Sequence, residues 1–413
     1  MDKLKQIIEE LYPINATLLG EGYNQRLELL KKYFNLWTFE ILSGTELGTW
    51  TVPDEWVVRD AWVKFKGKKI LDYKKQPLHL IVGSLPFQGK LNLKEFSEHL
   101  HWSDTRPDAV PYVMKFYEKV WGFCLSKKQK EKLKEGEYEV FIDTEWKPGK
   151  MKIGVHTILG KSDREILLFA HLDHPFQAND NLSGVACMLD IVSKIKSDHT
   201  IKIVFCPETI GSIAYAHLQD ISKVNFVIAV DICGNDKPIL MLKSYDQEAR
   251  INRIAHCALQ MAGNGYSKGK FRSTIGSDET VFNDPLIGIP GICLTTHDKT
   301  WLDYHTEFDT LDKINYDKIQ EMSNLIVKII DVADRDYIPK RNFKGQLFRT
   351  KYGLQSELKQ LNLNYDYFFY RIDGKITLAE LCADHELNFS VMYEVMDKLI
   401  KDGKIKKVEI NNQ

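Results

Sequence analysis

The chain has 413 residues, 44% of them hydrophobic and 27% charged, which excludes a disordered, collagen-like or low-complexity protein and is too long for a single hydrophobic core. Lysine plus arginine (56) balances aspartate plus glutamate (57), so no single-sign field exists to draw nucleic acid or an anionic membrane. Seven cysteines without a C-x-x-C, no apolar core in the N-terminal MDKLKQIIEELYPI and no apolar run of membrane-spanning length lead to the expectation of a cytoplasmic protein with neither export nor a membrane span.

Residues 2–34 place Leu4, Ile7, Ile8 and Leu11, then Leu27, Leu29, Leu30 and Tyr33, at helical spacing, which predicts two amphipathic helices. From Thr38 the chain is rich in Trp, Val, Gly and Pro, predicting a β-rich module that ends near residue 130 after a helical stretch, VPYVMKFYEKVWGF. The lysine run KKQKEKLK at 127–134 is interleaved with Glu131 and reads as a solvated helix face. From Tyr138 the apolar runs YEVFID, MKIGVHTIL, EILLFAHL, IKIVFC, VNFVIAV and GIPGICLTT read as strands, with helical patterns such as NDNLSGVACMLDIVSKI between several of them. Strands alternating with helices predict an α/β fold, a mostly parallel mixed sheet flanked by helices. An acidic and aromatic segment near 335–370 leads to KITLAELCADHELNFSVMYEVMDKLIKDGKIKKVEI, whose helix, turn, helix, Gly, strand order predicts a winged helix.

In an open α/β sheet, ligands gather beyond the carboxyl ends of the strands. ILLFA runs into His171 and Asp173, the next helix is entered at Asp180, IKIVFC leads to Glu208, VNFVIAV ends in Asp231, and GICLTT is followed by WLDYHTEFDT with His305. Taken singly, Asp180 or Asn181 reads as a helix N-cap and either histidine as a satisfied polar residue. As an ordered set of imidazoles and carboxylates they suit zinc, whose catalytic sites use a few protein ligands and an open position. No G-x-S-x-G elbow, Walker motif or dinucleotide fingerprint competes with this reading.

The order H-x-D (His171, Asp173), N-D-N-x-S-G (Asp180 to Gly184), P-E-T-I-G-S (Pro207 to Ser212), V-D (Asp231), S-D-E-x-V-F with G-I-P (Ser277 to Pro290) and Y-H-T-E-F-D-T (Tyr304 to Thr310) resembles the zinc aminopeptidases of the co-catalytic two-metal type, the clan that also holds glutaminyl cyclases. The phrases WTVPDEWVVRDAWV, VPYVMKFYEKVWGFCL and HPFQANDNLSG are similar to a bacterial subgroup with an aminopeptidase-like domain, a module inserted near its N-terminus and a C-terminal winged helix. That resemblance implies a metal domain over 1–37 and 131–340, an inserted domain over 38–130 and a winged helix over 345–413.

Carried over by position, it implies Asp180 as the metal-bridging carboxylate, His171 and Asp231 as ligands of one metal and His305 as a ligand of the other. Asp173 would orient His171, and Glu208 would be the general base that moves a proton from water to the leaving amine. Where the pattern has two successive glutamates, this chain has Glu208 and Thr209, and a neutral hydroxyl is a poor zinc ligand. Three readings stay open: one zinc with Glu208 as base, Glu208 as ligand, or a degenerate site. One zinc per chain is the favoured expectation, two the alternative, and His174 is an alternative ligand to His171.

The expected activity is aminopeptidase hydrolysis of a peptide or small amide. The alternatives are a non-catalytic, regulatory metal-binding protein and glutaminyl-cyclase-like chemistry. From Gly345 onward ten basic residues face ten acidic ones, and the second helix carries Glu394 and Asp397, which would meet phosphates without compensation. Nucleic acid is therefore not the expected partner. A protein partner or self-association through the winged helix is.

Overall fold

The computed structural model describes residues 1–263, 265–354 and 365–410. Positions 355–364 of the acidic, aromatic segment lie outside the described residues. An eight-stranded mixed sheet is formed by β1 (Leu36–Leu42), β2 (Lys150–Ile158), β3 (Glu165–His171), β4 (Thr200–Cys206), β5 (Val224–Asp231), β6 (Ile239–Leu242), β7 (Tyr266–Gly269) and β8 (Gly291–Thr295), in the order β1-β2-β4-β3-β5-β8-β6-β7. The four central strands β4-β3-β5-β8 are mutually parallel, while β1, β2 and the β8–β6 pair run antiparallel.

The parallel strands read as continuous apolar runs because both faces of the sheet are covered. Ile166, Leu168, Ala170, Ile201, Ile203, Phe205, Ile228 and Val230 point into one core, while Leu167, Phe169, Val204, Val227 and Ala229 point into the other. The first core is closed by α1 (Asp2–Leu11), α2 (Glu21–Leu30), α3 (Gly184–Val192), α5 (Arg250–Ala262) and α6 (Tyr316–Arg335); the second by α4 (Ile210–Leu218) and Phe282. Leu4, Ile7, Ile8 and Leu11 of α1 are all buried, as their spacing predicts, whereas α2 buries Tyr23, Arg26, Leu27 and Leu30 and leaves Leu29 half-exposed.

A second, four-stranded antiparallel sheet pairs Lys68–Asp72, Glu55–Phe65, Glu137–Lys147 and Phe87–Asn92 in that order, over a separate core of Trp56, Val63, Leu71, Phe96, Phe123, Val140 and Ile142. The strand placement moves both sequence boundaries of the module. Leu36–Leu42 is an edge strand of the main sheet, and Glu137–Lys147 is a central strand of the smaller one. The second shift has a visible cause, since Tyr138, Val140, Ile142 and Thr144 are buried in alternation, the pattern of a sheet with one dry face. The predicted helix over 110–123 is also corrected. Val110 precedes Pro111, which disfavours helix, and the segment is extended, with Lys115 N–H donating to the Val82 carbonyl and Val82 N–H to that of Val113.

At the C-terminus α7 (Leu378–Asp384) and α8 (Phe389–Lys401) precede a strand, Ile405–Val408, that pairs antiparallel with Ile338–Arg341. Leu381, Cys382, Phe389, Met392, Met396 and Leu399 join the same core as α5 and α6. Asp336 joins the two parts, accepting from Arg250 Nε and from the Ala379 N–H at 2.9 Å each.

Candidate metal centre

The parallel strands end together. His171, the last residue of β3, lies opposite Cys206, and Asp231, the last of β5, lies opposite Thr295. The turn Ala178–Ser183, which feeds α3, brings Asp180 between them, with a cis peptide between Asp180 and Asn181. Asp180 Oδ1 is 2.9 Å from His171 Nε2 and 3.1 Å from His174 Nδ1, and its Oδ2 is 2.9 Å from His305 Nε2. Asp231 Oδ1 is 4.0 Å from His171 Nε2, and Glu208 Oε2 is 3.4 Å from His174 Nε2. Two overlapping triads, His171–His174–Asp180 and His171–Glu208–Asp231, each bring three ligand atoms within 4.8 Å of one another. The open side is defined by exposure: the side chains of Glu208 (22%) and His305 (30%) reach solvent, while those of His171, His174, Asp180 and Asp231 do not.

These donors fit a cation. His305 Nε2, both ring nitrogens of His174, Asp180 Oδ2 and Asp231 Oδ1 are buried without a hydrogen bond although partners lie close by, so their lone pairs converge without satisfying one another. Such atoms are costly unless a positive charge is placed among them. The same crowding of charge shifts the titration of each group. Burial opposes ionisation of His171, yet Asp231 and Glu208, with the bond to Asp180, hold its imidazolium up to about 10. His174 is likewise held well above its ordinary range, against burial, by Asp180 and Asp173. Asp180 stays well below the usual carboxylate range in spite of burial, because His174, His171 and His305 surround it. Burial, with the charges of Asp180 and Glu208, pushes Asp231 well up. A divalent ion would displace those protons and satisfy the same atoms.

All the residues singled out by sequence meet here, but with some different contacts. Asp173 accepts the backbone N–H of Glu208 at 2.8 Å; the groups beside His171 Nδ1 are Asn181 Nδ2 at 3.4 Å and Asp278 Oδ2 at 3.8 Å. Asp173 therefore holds the Glu208 turn rather than orienting His171. Asn181 is not a helix cap: its amide donates to the Val230 carbonyl at 2.7 Å and accepts the Ile232 N–H, tying the turn to the end of β5. Thr209 has φ of 63° and donates its N–H to Asp278 Oδ1 at 3.0 Å. Both histidines of H-L-D-H touch the same oxygen of Asp180, so His174 stands beside His171, not in its place.

Several neighbours that the sequence reading assigned no role complete the site. Arg26, buried in α2, donates to the carbonyls of Leu172, His174 and Ile14 at 2.8–3.0 Å and so fixes the loop between the two histidines. Asp309 accepts the N–H groups of Asn179 and Asp180 at 2.7 and 3.0 Å. Burial still pushes its carboxyl up to about 8. Tyr112, from the smaller sheet's module, lies with its ring 5.4 Å from that of His174 and 5.1 Å from that of His305.

Comparison with known proteins places the fold and the family. A Clostridium acetobutylicum protein, provisionally described as a polysaccharide biosynthesis protein with an aminopeptidase-like domain, is 33% identical over 337 residues, covering 79% of this chain and 77% of that protein. The crystal structure of a provisionally described peptidase from Clostridium acetobutylicum superposes with a TM-score of 0.84 at 29% identity, over 98% of this chain and 96% of its own. BSAP, a zinc aminopeptidase from Bacillus subtilis, shares the fold at a TM-score of 0.61 and 16% identity, over 80% of this chain and 93% of its own. The family model described as a domain of unknown function (DUF4910) matches residues 5–336, a span that includes the main sheet and every candidate ligand. The chain belongs to that family, the domain of unknown function DUF4910.

Proposed function

We propose that this chain is a zinc-dependent hydrolase of the aminopeptidase type, acting on the N-terminal residue of a peptide or a small amide. The observation that carries the reading is the convergence of His171, Asp180, Asp231, His174 and His305 at the carboxyl ends of the parallel strands, with Glu208 and His305 on the solvent side. A zinc aminopeptidase and a further aminopeptidase of this fold support it. One ion per chain is the proposed stoichiometry, because both candidate triads run through His171 and position 209 is a threonine. A zinc held by these residues would supply a Lewis acid that polarises a carbonyl and acidifies water.

Glu208 is the proposed base. Its carboxylate lies 3.4 Å from His174 and reaches solvent, where it could take a proton from water. The Asp173 bond to its backbone N–H fixes where that carboxylate can reach. Substrate would enter between Glu208 and His305, the exposed members of the cluster. A cytoplasmic setting is part of the proposal, supported by seven free, buried cysteines. So is a C-terminal winged helix used for protein contacts, whose second helix exposes Glu394, Lys398 and Lys401.

A binding-only reading is favoured by one observation, the missing carboxylate at Thr209. Aminoacyl anilides and dipeptides, assayed with zinc, cobalt or manganese, separate the two readings. The expected result is turnover that a chelator removes and metal restores; absence of turnover with every metal would leave the binding-only reading. Ring closure of N-terminal glutamine in the same panel would point to cyclase chemistry.

A further inference from the structure

His305 differs from the other candidate ligands in how it is held. It sits in the loop between β8 and α6, neither at a strand end nor in the turn feeding α3, and its backbone φ is 52°. A left-handed conformation is unfavourable for a residue with a side chain and persists where the surroundings over-determine it. Here those surroundings are largely the module built on the smaller sheet. The Tyr112 N–H donates to the His305 carbonyl at 2.7 Å, and Pro111 forms a β-bridge with Thr306. The Glu307 N–H donates to the Val110 carbonyl at 3.0 Å, while its carboxylate accepts Gln76 Nε2 at 2.7 Å and the Val110 N–H at 3.2 Å. Arg106 pairs with Asp303 at 3.1 Å. On its other side the loop is tied to the Asp180 turn, through Gln177 Nε2 on the Thr306 carbonyl and Asp309 on two N–H groups.

We infer that the module acts as a clamp that sets His305 against Asp180, with Glu307 as the main positioning residue; this rests on the metal-hydrolase reading of the site. The module's residues 76–112 hold the loop, and Tyr112 forms a wall beside both His174 and His305. Removing the Glu307 carboxylate releases Gln76 and the Val110 N–H together, leaving the loop its backbone contacts to Val110, Pro111 and Tyr112 and the Arg106–Asp303 pair, so His305 is held less firmly.

Cobalt(II) titrated into the full-length apoprotein tests this, because its visible absorption reports ligand number and geometry independently of turnover. Glu307→Ala is expected to weaken cobalt affinity about tenfold, the usual scale for groups that orient a ligand, and to shift the band toward that of His305→Ala. Glu307→Gln, which keeps one of the two acceptor oxygens and sets an amide N–H against the other donor, is expected to recover affinity only in part, to a value between those of Glu307→Ala and wild type. Gln76→Ala should move both readouts in the same direction, and it carries the test if Glu307→Ala does not fold. Lys90→Ala, which breaks an exposed ion pair with Glu137 on the same sheet, should leave the spectrum unchanged. A wild-type spectrum and affinity in Glu307→Ala, or in Gln76→Ala where that variant stands in, overturn the clamp alone. Failure of the wild-type protein to bind cobalt overturns the metal reading and the clamp with it.

Discussion

Glu279 shows how burial sets charge close to the site. It is 1% exposed, its carboxylate accepts the Ser277 N–H and the Thr280 hydroxyl, and burial with the adjacent Asp278 pushes its pKa up to about 7. In the unfolded chain the same carboxyl titrates near ~4.3. The folded state therefore keeps a proton that the unfolded state releases, and the associated stability is full below ~4 and lost as pH rises through 7, a change on the order of 3 kcal/mol. Urea unfolding at pH 5 and pH 8 should show wild type losing more stability over that interval than Glu279→Gln; parallel profiles would contradict the assignment. At this scale the sequence makes the site legible where polar residues interrupt apolar runs, as at His171, Glu208 and Asp231. Tyr112 and Arg26 act through contacts across the chain, with no spacing in the sequence to reveal them. Asp173 holds the Glu208 N–H, a backbone partner that side-chain chemistry in the sequence does not announce.

Among the elements, continuous apolar runs identify the buried strands β3, β4, β5 and β8, because covering both faces removes any need for polar positions. The mixed edges were harder to read. Glu137–Lys147 follows the module in sequence and pairs back into it, a choice decided by partner strands; only its alternation hints at the outcome. The C-terminal helices carry a similar lesson. Phe389, Met392, Met396 and Leu399 of α8 have the spacing of a self-contained helical unit, yet they fill the same core as Ile254, Ala258 and Ile329. A chain cut after Lys344 should therefore expose the apolar faces of α5 and α6 and melt well below the full-length protein, or aggregate. Wild-type melting of that truncated chain would show instead that the C-terminal part is separable.

Across the whole molecule, three pieces of chain converge on one polar pocket. The main sheet supplies His171 and Asp231, the α3 turn and the β8–α6 loop supply Asp180 and His305, and the smaller sheet's module closes over the loop through Tyr112 and Glu307. The N-terminal helices contribute as well, since Arg26 holds the backbone between His171 and His174. Of the cluster's members, Glu208 and His305 are the two whose side chains reach solvent. Metal content and turnover measured together on Glu208→Gln test the central claim most directly. The account predicts a variant that binds zinc as the wild type does while turnover falls by about 100-fold or more; loss of zinc, or turnover at the wild-type rate, would contradict it.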